Sequence, residues 1–176
     1  MSQVGRPALV QAANPPGKLQ MERQTRSGTR KAEMIRALAA ADLAPWEQLW
    51  QAYLRFYRAE VSDEVTAATF RRLCDQTDGM VGLVATDEQG ALVGLAHLVF
   101  HPSTWSADPS CYLEDLFVAP AARGTGTARQ LMDEAFAEAR RRGAGHTYWQ
   151  TQEFNAPARS LYDQVAHRTS FVVYER

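Results

Sequence analysis

The sequence predicts one α+β domain in which helices flank a mixed β-sheet, with its elements in the order βααβββαβαβ. Three observations predict this class. Apolar stripes with helical spacing alternate with short apolar runs, a glycine-containing turn joins two strands into a hairpin, and a glycine-rich turn joins a strand to a helix. A chain of 176 residues with 45% hydrophobic content is long enough for one well-buried domain and too short for two of ordinary size.

Helix and strand signals follow one another along the chain. After Asp42, apolar residues recur at helical spacing as far as Tyr57, and Pro45 is tolerated in the first turn of that helix. Gly90 supplies the positive φ that a hairpin turn needs. The predicted elements, in order, are a strand over 34–38, the helix after Asp42, a helix from Ser62, strands over 80–86, 91–101 and 112–118, a helix ending at Gly143, a strand over 146–151, a helix through Tyr162 and a final strand over 170–174.

Residues 1–32 differ in composition from the rest of the chain. They are rich in Pro, Gly, Gln, Arg and Ser, lack hydrophobic periodicity, and hold six basic residues against one acidic residue. We therefore predict a flexible basic leader at 1–32 and the folded domain at 33–176. The leader is expected to be dispensable for catalysis. The alternative is an autoinhibitory or self-substrate segment that folds over the acidic body and presents Lys18 or Lys31.

Charge and cysteine content narrow the function classes. The net charge is −1, and the chain after the leader holds thirteen basic and nineteen acidic residues, which argues against a nucleic-acid partner and is compatible with a cationic acceptor. Cys74, Cys111 and the four histidines show no metal-ligand spacing, so no metal is expected and the cysteines are predicted to be small buried residues. With no signal-peptide core and no long apolar run, we expect a cytoplasmic protein with no membrane partner.

The most informative stretch is 118–132, which joins the predicted strand at 112–118 to an amphipathic helix through Arg123, Gly124 and Gly126. The first N–H groups of a helix have no intrahelical acceptor, and its N-terminus carries a partial positive charge. Glycine lets a bulky anion approach these groups closely. The stretch therefore predicts a site for a pyrophosphate.

Two common phosphate motifs do not fit this turn. A nucleoside triphosphate loop needs Gly-Lys-Ser/Thr, but Thr127 and Ala128 follow Gly126, and a dinucleotide fingerprint needs a third glycine where Arg129 stands. The turn resembles instead the acyl-CoA motif of the GNAT superfamily of N-acetyltransferases, [Q/R]-x-x-G-x-[G/A], which Arg123, Gly126 and Ala128 satisfy in order. By this resemblance the bound pyrophosphate is that of acetyl-CoA.

Two further elements strengthen the resemblance to the GNAT superfamily. Its Val-x-Pro turn is present as Val-Ala-Pro at 118–120, and its downstream Asn-x-x-Ala-x-x-x-Tyr element is matched by Asn155, Ala158 and Tyr162. The chain departs from the pattern at 166–167, where Ala-His stands in place of the usual Gly-Phe. The predicted element order is also that of the superfamily, whose sheet is mostly antiparallel.

The resemblance covers roughly residues 33–176 and implies that acetyl-CoA is the co-substrate. It implies backbone contacts with the pantetheine arm at the end of the strand before the glycine turn, phosphate contacts around that turn, and a further contact from Asn155. Arg129, beside the turn, is interpreted as an exposed helix residue. The implied cofactor-binding residues are Leu116, Phe117, Val118, Arg123, Gly124, Thr125, Gly126, Thr127, Ala128 and Asn155.

Acetyl transfer to an amine needs a proton donor for the departing thiolate and a base for the amine. Asn155 and Tyr162 are two helical turns apart and share one face, and the resemblance places the Tyr162 hydroxyl beside the thioester sulfur. Glu114 is the candidate base, directly or through water. Strand alternation places Glu114 and Asp115 on opposite faces, and the structural alternative is a solvated Glu114 with Asp115 holding a neighbouring loop.

The amine acceptor is predicted to bind near the end of the first helix, where aromatic and charged side chains either hold a cation or simply pack. The sequence predicts an acetyl-CoA-dependent N-acetyltransferase acting on a primary amine of a polyamine-like small molecule or a protein lysine, by direct attack in a ternary complex. The alternative is a non-catalytic acyl-CoA-binding module. The oligomeric state stays open, with a homodimer among the alternatives. The candidate acceptor residues are Tyr53, Phe56, Tyr57, Arg58, Glu60 and Trp105.

Overall fold

Helices pack on both faces of a five-stranded sheet, and the computed structural model describes residues 32 and 34–176. Two single-turn 3-10 helices precede α1 and α3. The elements are β1 (Met34–Ala37), α1 (Leu43–Tyr57), α2 (Asp63–Asp75), β2 (Met80–Thr86), β3 (Leu92–His101), β4 (Ser110–Val118), α3 (Thr127–Arg141), β5 (His146–Trp149) and α4 (Ala156–Val165).

The sheet has the spatial order β1-β2-β3-β4-β5. The first four strands pair antiparallel, and only β4 and β5 are parallel. This confirms the predicted mixed, mostly antiparallel sheet. A parallel pair needs a crossover connection, which α3 supplies here.

Each face of the sheet buries its own apolar cluster. The apolar side of α3, including Leu131 and Met132, packs with residues of β2, β3 and β4. On the other face, α1 and α2 bury a cluster that contains Trp46 and Trp50. The helical stripe predicted in α1 is confirmed, since all of its members except Tyr57, at the end of the helix, are buried.

The final strand predicted at 170–174 is absent, since residues 166–176 contain neither helix nor strand. The composition Phe-Val-Val-Tyr favours an extended conformation, but a strand also needs a partner for its backbone N–H and C=O groups. No described strand pairs with this segment. The prediction was therefore wrong for the arrangement seen here, because propensity alone does not supply a neighbour.

The predicted leader lies almost wholly outside the described residues, which exclude 1–31 and 33. Ala32 is described and is buried. Its N–H donates to the Thr127 Oγ1 across 3.3 Å, at the start of α3. The chain that enters β1 therefore passes close to the glycine turn.

Candidate active site

Both glycines of the turn before α3 have left-handed backbone conformations. Gly124 and Gly126 have φ values of +75° and +88°, which side-chain-bearing residues rarely adopt. A Cβ placed on either residue would meet no described atom within 4 Å, so the space above both is open. The α3 helix begins directly after Gly126, so its positive end faces this space.

Hydrogen bonds of its own threonine side chains stabilise the glycine turn. The Thr125 hydroxyl donates to the Ala122 carbonyl at 2.7 Å and lies 2.8 Å from the hydroxyl of Thr127, which is buried. The first backbone N–H groups of α3 have no acceptor inside the helix. Since these hydroxyls are used internally, the backbone N–H groups are the donors that the turn offers to an anion.

Arg123 connects the turn with α1. Its Nε donates to the Val118 carbonyl at 3.0 Å, and its Cζ lies 5.7 Å from the ring centroid of Phe117 and 6.0 Å from that of Phe56. A guanidinium over aromatic faces gains a cation–π attraction. The arginine is therefore held beside the turn by the strand end and the helix together.

A gap opens between β4 and β5 beside this turn. The two strands pair only from Ser110 to Leu113, whereas β4 continues to Val118 with its other edge paired to β3. Beyond Leu113 the β5-facing edge of β4 has no strand partner among the described residues, although the Val118 carbonyl already accepts from Arg123 Nε. The residues predicted to contact pantetheine, Leu116 to Val118, lie along this open edge. An extended arm with amide groups fits such an edge, because it pairs as a strand would.

Tyr162 stands at the same gap, on the α4 side. Its ring packs edge-on against Trp149 of β5 at 5.4 Å between centroids. Burial, with a smaller contribution from Tyr57, raises the pKa of Tyr162 to about 12. Tyr162 therefore keeps its proton over the physiological pH range, as a proton donor must.

The raised pKa of Tyr162 makes stability depend on pH. The unfolded phenol ionises near pH 10 and the folded one near 12, so the stability that the protonated phenol contributes is lost as pH rises across that interval. By pH 11 the free energy of unfolding should fall by about 1 kcal/mol more in the wild type than in Tyr162→Phe. Urea unfolding of both proteins at pH 9, 10 and 11 measures this difference. Parallel pH slopes would contradict it.

Asn155 immediately precedes α4. Its side-chain Nδ2 donates to the Thr151 hydroxyl at 3.2 Å, and its carbonyl accepts from the Arg159 N–H at 3.0 Å. The amide is thus held in the loop that follows β5, two helical turns before Tyr162. Since Asn155 precedes the first residue of α4, its sharing of one face with Tyr162 stays a prediction.

Glu114 lies in a β-bulge that the sequence did not reveal. His97 pairs with Asp115 and Leu98 with Leu113, so Glu114 is an extra residue in β4. A bulge breaks the alternation of side chains. Leu113 packs with the α3-side cluster, whereas Asp115 binds His97. The bulge therefore interrupts the regular alternation on which the predicted opposite facing of Glu114 and Asp115 rested, and Asp115 points toward the α1 side, where it binds His97.

The Glu114 carboxylate acts electrostatically on Tyr148, which is itself held by two contacts. Tyr148 of β5 has a raised pKa, mainly through burial and secondly through the Glu114 carboxylate. The Tyr148 ring stacks on Tyr112 at 4.9 Å, and its hydroxyl lies 2.9 Å from His101 Nε2. The Glu114 carboxylate therefore lies close enough to Tyr148 to disfavour ionisation of that phenol.

Asp115 takes part in a buried polar relay that sequence reasoning missed. Trp46 Nε1 donates to His97 Nε2 at 3.0 Å, and His97 Nδ1 lies 2.9 Å from the Asp115 carboxylate. Indole N–H is only a donor, so Nε2 must accept and Nδ1 carries the proton given to Asp115. The relay joins α1, β3 and β4 next to the bulge. Asp115 holds a neighbouring strand rather than the neighbouring loop considered from the sequence.

Removing the Asp115 acceptor should destabilise the protein. Asp115→Ala leaves the buried His97 N–H without a partner and should lower the free energy of unfolding by about 2 kcal/mol. Asp115→Asn keeps an oxygen acceptor and should lose about half as much. Chemical denaturation measures both. Equal losses for the two variants would show that the hydrogen bond does not matter.

The candidate acceptor residues lie in three separate parts of the structure. Tyr53, Phe56 and Tyr57 form an aromatic row at the end of α1, with Tyr53 and Tyr57 centroids 4.9 Å apart. Trp105 is 94% exposed in the loop before β4 and is not part of this row. A shallow depression of about 570 Å³, formed by the end of α1 and the following turn, contains Arg58 and Glu60. The role of this aromatic row in binding the acceptor stays a prediction.

Other functional expectations concern metals, thiols and membranes. Among the described residues, no group of three or more His, Cys, Asp or Glu side chains could hold a metal ion, and no helix is both long and apolar enough to cross a membrane. Both cysteines are free; Cys111 is buried and Cys74 half-buried. Burial raises the pKa of Cys111 to about 11, so this thiol stays protonated.

Arg129 pairs with Asp133 at the surface of α3, in agreement with its interpretation as an exposed residue.

Sheet order, glycine turn and strand gap together define the class of acyl-CoA-dependent N-acyltransferases. The chain belongs to the acetyltransferase (GNAT) family, whose model matches residues 46–166. It is an acetyl-CoA-dependent N-acetyltransferase, and acetyl-CoA is its co-substrate. The open space at Gly124 and Gly126 and the open edge of β4 fit the phosphate and pantetheine parts of that molecule.

Two relatives in sequence and one solved structure show what this chain is similar to. The chain is 33% identical over 144 residues to D-amino-acid N-acetyltransferase HPA3 of Saccharomyces cerevisiae, covering 81% of this chain and 89% of that protein. It is 34% identical over 142 residues to the uncharacterized N-acetyltransferase YhfO of Bacillus subtilis, covering 80% and 94%. The structure of AAC(6')-Iy in complex with a bisubstrate analog matches with a TM-score of 0.71 at 20% identity, covering 81% and 96%. The last likeness concerns the fold alone.

Proposed function

We propose that this enzyme acetylates the primary amine of a small molecule by direct attack in a ternary complex, with Tyr162 as proton donor and Glu114 as base. The observation that carries the proposal is the gap between β4 and β5. It runs from the glycine turn along an open strand edge to the Tyr162 phenol.

The proposed cofactor contacts follow the gap. The pyrophosphate would meet the backbone N–H groups from Gly124 to Ala128, with Arg123 beside them, and the pantetheine amides would pair with the edge of β4 at 116–118. Asn155 would contact the arm from the α4 side. These contacts would leave the thioester between the two walls of the gap.

The chemical step requires two proton movements. The neutral amine nitrogen forms a bond to the thioester carbonyl carbon, and the carbon–sulfur bond breaks. The departing thiolate takes a proton from the Tyr162 hydroxyl, while the amine gives one to Glu114, directly or through water. A phenol whose pKa is raised to about 12 is still protonated when the thiolate forms.

Two observations favour a small acceptor over a protein lysine. The aromatic row of Tyr53, Phe56 and Tyr57 lies at the end of α1 and can hold a cation by cation–π contact. The relative from Saccharomyces cerevisiae, similar over 81% of this chain, acts on D-amino acids according to its name. A polyamine-like compound or a free amino acid fits these features. The body's excess of acidic residues suits either cationic head group.

Release of free thiol from acetyl-CoA tests the function. The purified full chain is assayed with a polyamine, with D- and L-amino acids, with an aminoglycoside and with a lysine peptide, and products are identified by mass. We expect turnover with at least one small amine and little with the peptide. Turnover with the peptide alone would contradict the small acceptor, and binding of acetyl-CoA without transfer to any amine would contradict the acceptor class.

A further inference from the structure

The chain enters the folded domain beside the glycine turn. Ala32, two residues before β1, is 3% exposed and packs in the apolar cluster on the α3 side of the sheet. Its N–H donates to the Thr127 hydroxyl at 3.3 Å, and Thr127 is the first residue of α3. This contact anchors the chain before β1 at the N-terminus of α3.

The anchor at Ala32 is the first member of a chain of hydrogen bonds through the turn. A hydroxyl has one proton to donate and two lone pairs that accept. The Thr125 hydroxyl gives its proton to the Ala122 carbonyl, so the Thr127 hydroxyl donates to Thr125 and accepts from the Ala32 N–H. The backbone at Ala32 is thereby tied to the residues that shape the proposed anion site.

Two basic residues, Arg30 and Lys31, directly precede this anchor in the sequence. They lie outside the described residues. Consecutive Cα atoms are about 3.8 Å apart, so the anchor at Ala32 limits how far either residue can lie from the start of α3. Both side chains are long and carry their charge at the tip. Their positive charges are therefore within reach of the start of α3.

The charge of the co-substrate calls for additional cations near the turn. Acetyl-CoA brings a pyrophosphate and a phosphate monoester, and the monoester alone carries about −1.5 to −2 at pH 7. Beyond the leader the chain has a net charge of −6, whereas the leader itself carries +5. Residues 120–130 contain two basic residues, of which Arg129 forms an ion pair within α3 and Arg123 donates to a backbone carbonyl. An acidic body that binds this polyanion needs further positive charge close by.

We propose that Arg30 and Lys31 bind the phosphate groups of acetyl-CoA, and that the anchor at Ala32 positions them at the glycine turn. This rests on the proposed placement of the pyrophosphate at that turn. The attraction between these charges raises the affinity for acetyl-CoA and is screened by salt. The thioester lies at the other end of the pantetheine arm, so kcat at saturating acetyl-CoA should stay unchanged. The end of the leader then serves binding of the co-substrate and not the chemical step.

Paired substitutions in the full chain test the proposal. Arg30→Gln together with Lys31→Gln should weaken acetyl-CoA binding about tenfold in isothermal titration calorimetry and leave the melting temperature unchanged. Arg30→Lys together with Lys31→Arg keeps both charges and should retain the wild-type affinity. The matched control is Arg6→Gln together with Arg23→Gln, which removes the same charge farther from the anchor and should change the affinity by less than about twofold.

Salt dependence distinguishes a charge contact from an effect on folding. Raising the salt concentration from about 50 mM to about 300 mM should reduce the difference in affinity between the wild type and the Arg30→Gln, Lys31→Gln variant, because screening shortens the range of the attraction. Wild-type affinity in that variant, an equal loss in the control pair, or a difference that salt does not reduce would each overturn the proposal.

Gly126→Glu tests the underlying pyrophosphate site separately. Wild-type affinity for acetyl-CoA in Gly126→Glu would contradict the placement of the pyrophosphate at the turn, and with it the proposed role of the two basic residues. A loss of affinity in Gly126→Glu, with wild-type affinity in the Arg30→Gln, Lys31→Gln variant, would contradict only the role of Arg30 and Lys31.

Discussion

The Tyr162→Phe variant is expected to bind acetyl-CoA normally and to turn over roughly 100-fold more slowly. The substitution removes one hydroxyl and keeps the ring that packs against Trp149. Folding should therefore be retained. The thiolate would leave without a positioned acid, so the loss should appear in kcat and leave the dissociation constant of acetyl-CoA unchanged.

Tyr148→Phe is the matched control for Tyr162→Phe. It removes a second half-buried phenol, which lies on the opposite face of β5 and within 2.9 Å of His101 Nε2. Its kcat should stay close to that of the wild type. Steady-state kinetics and calorimetry on the wild type, Tyr162→Phe and Tyr148→Phe distinguish a catalytic role of Tyr162 from a packing role. A normal kcat in Tyr162→Phe would remove this residue from the mechanism, and a loss of acetyl-CoA affinity equal to the loss of kcat would assign it a packing role.

The Gly126→Glu variant should lose at least 100-fold in acetyl-CoA affinity. The new carboxylate would project into the open space above the start of α3, where the pyrophosphate is proposed to bind. Two like charges about 4 Å apart at a protein surface repel by about 4 kcal/mol, and 1.4 kcal/mol corresponds to a factor of ten. Isothermal titration calorimetry with acetyl-CoA measures the loss.

Gly143→Glu separates this charge effect from backbone strain. Gly143 also has a positive φ, +71°, and open space where a Cβ would stand, but it lies at the other end of α3. Both variants force a side-chain-bearing residue into the left-handed region at a cost of about 1–2 kcal/mol. Similar melting temperatures with affinity lost only in Gly126→Glu would support the site. Wild-type affinity in Gly126→Glu would mean that the pyrophosphate binds elsewhere.

Local patterns in the sequence predicted most of the fold because they depend on nearby residues. The stripe in α1 and the positive φ of Gly90 in the hairpin turn both follow from spacing or residue type. The strand predicted at 170–174 failed for a physical reason. Strand formation depends on a partner that lies far away in sequence, and no described strand pairs with this segment.

For the same reason, only part of the candidate site could be predicted from the sequence. A bulge has no reliable local signature, since it is set by the pairing of β3 with β4, so the interrupted alternation at Glu114 and Asp115 could not be predicted. The partnership of Trp46 with His97 joins residues 51 positions apart. The only available signal for it was a histidine and an aspartate in two apolar strands that are neighbours in a sheet, where each polar side chain needs a buried partner.

The two walls of the gap differ in how firmly they are attached to the core. The β4 wall belongs to the centre of the sheet, while the other wall consists of a four-residue strand and a helix with no buried residue. Regions with few buried contacts open at a small fraction of the global unfolding free energy. Within one copy, the second wall should therefore exchange its amide hydrogens fastest of the ordered elements. The co-substrate, which we propose contacts both walls, would then make opening of this side of the cleft less favourable when it is bound.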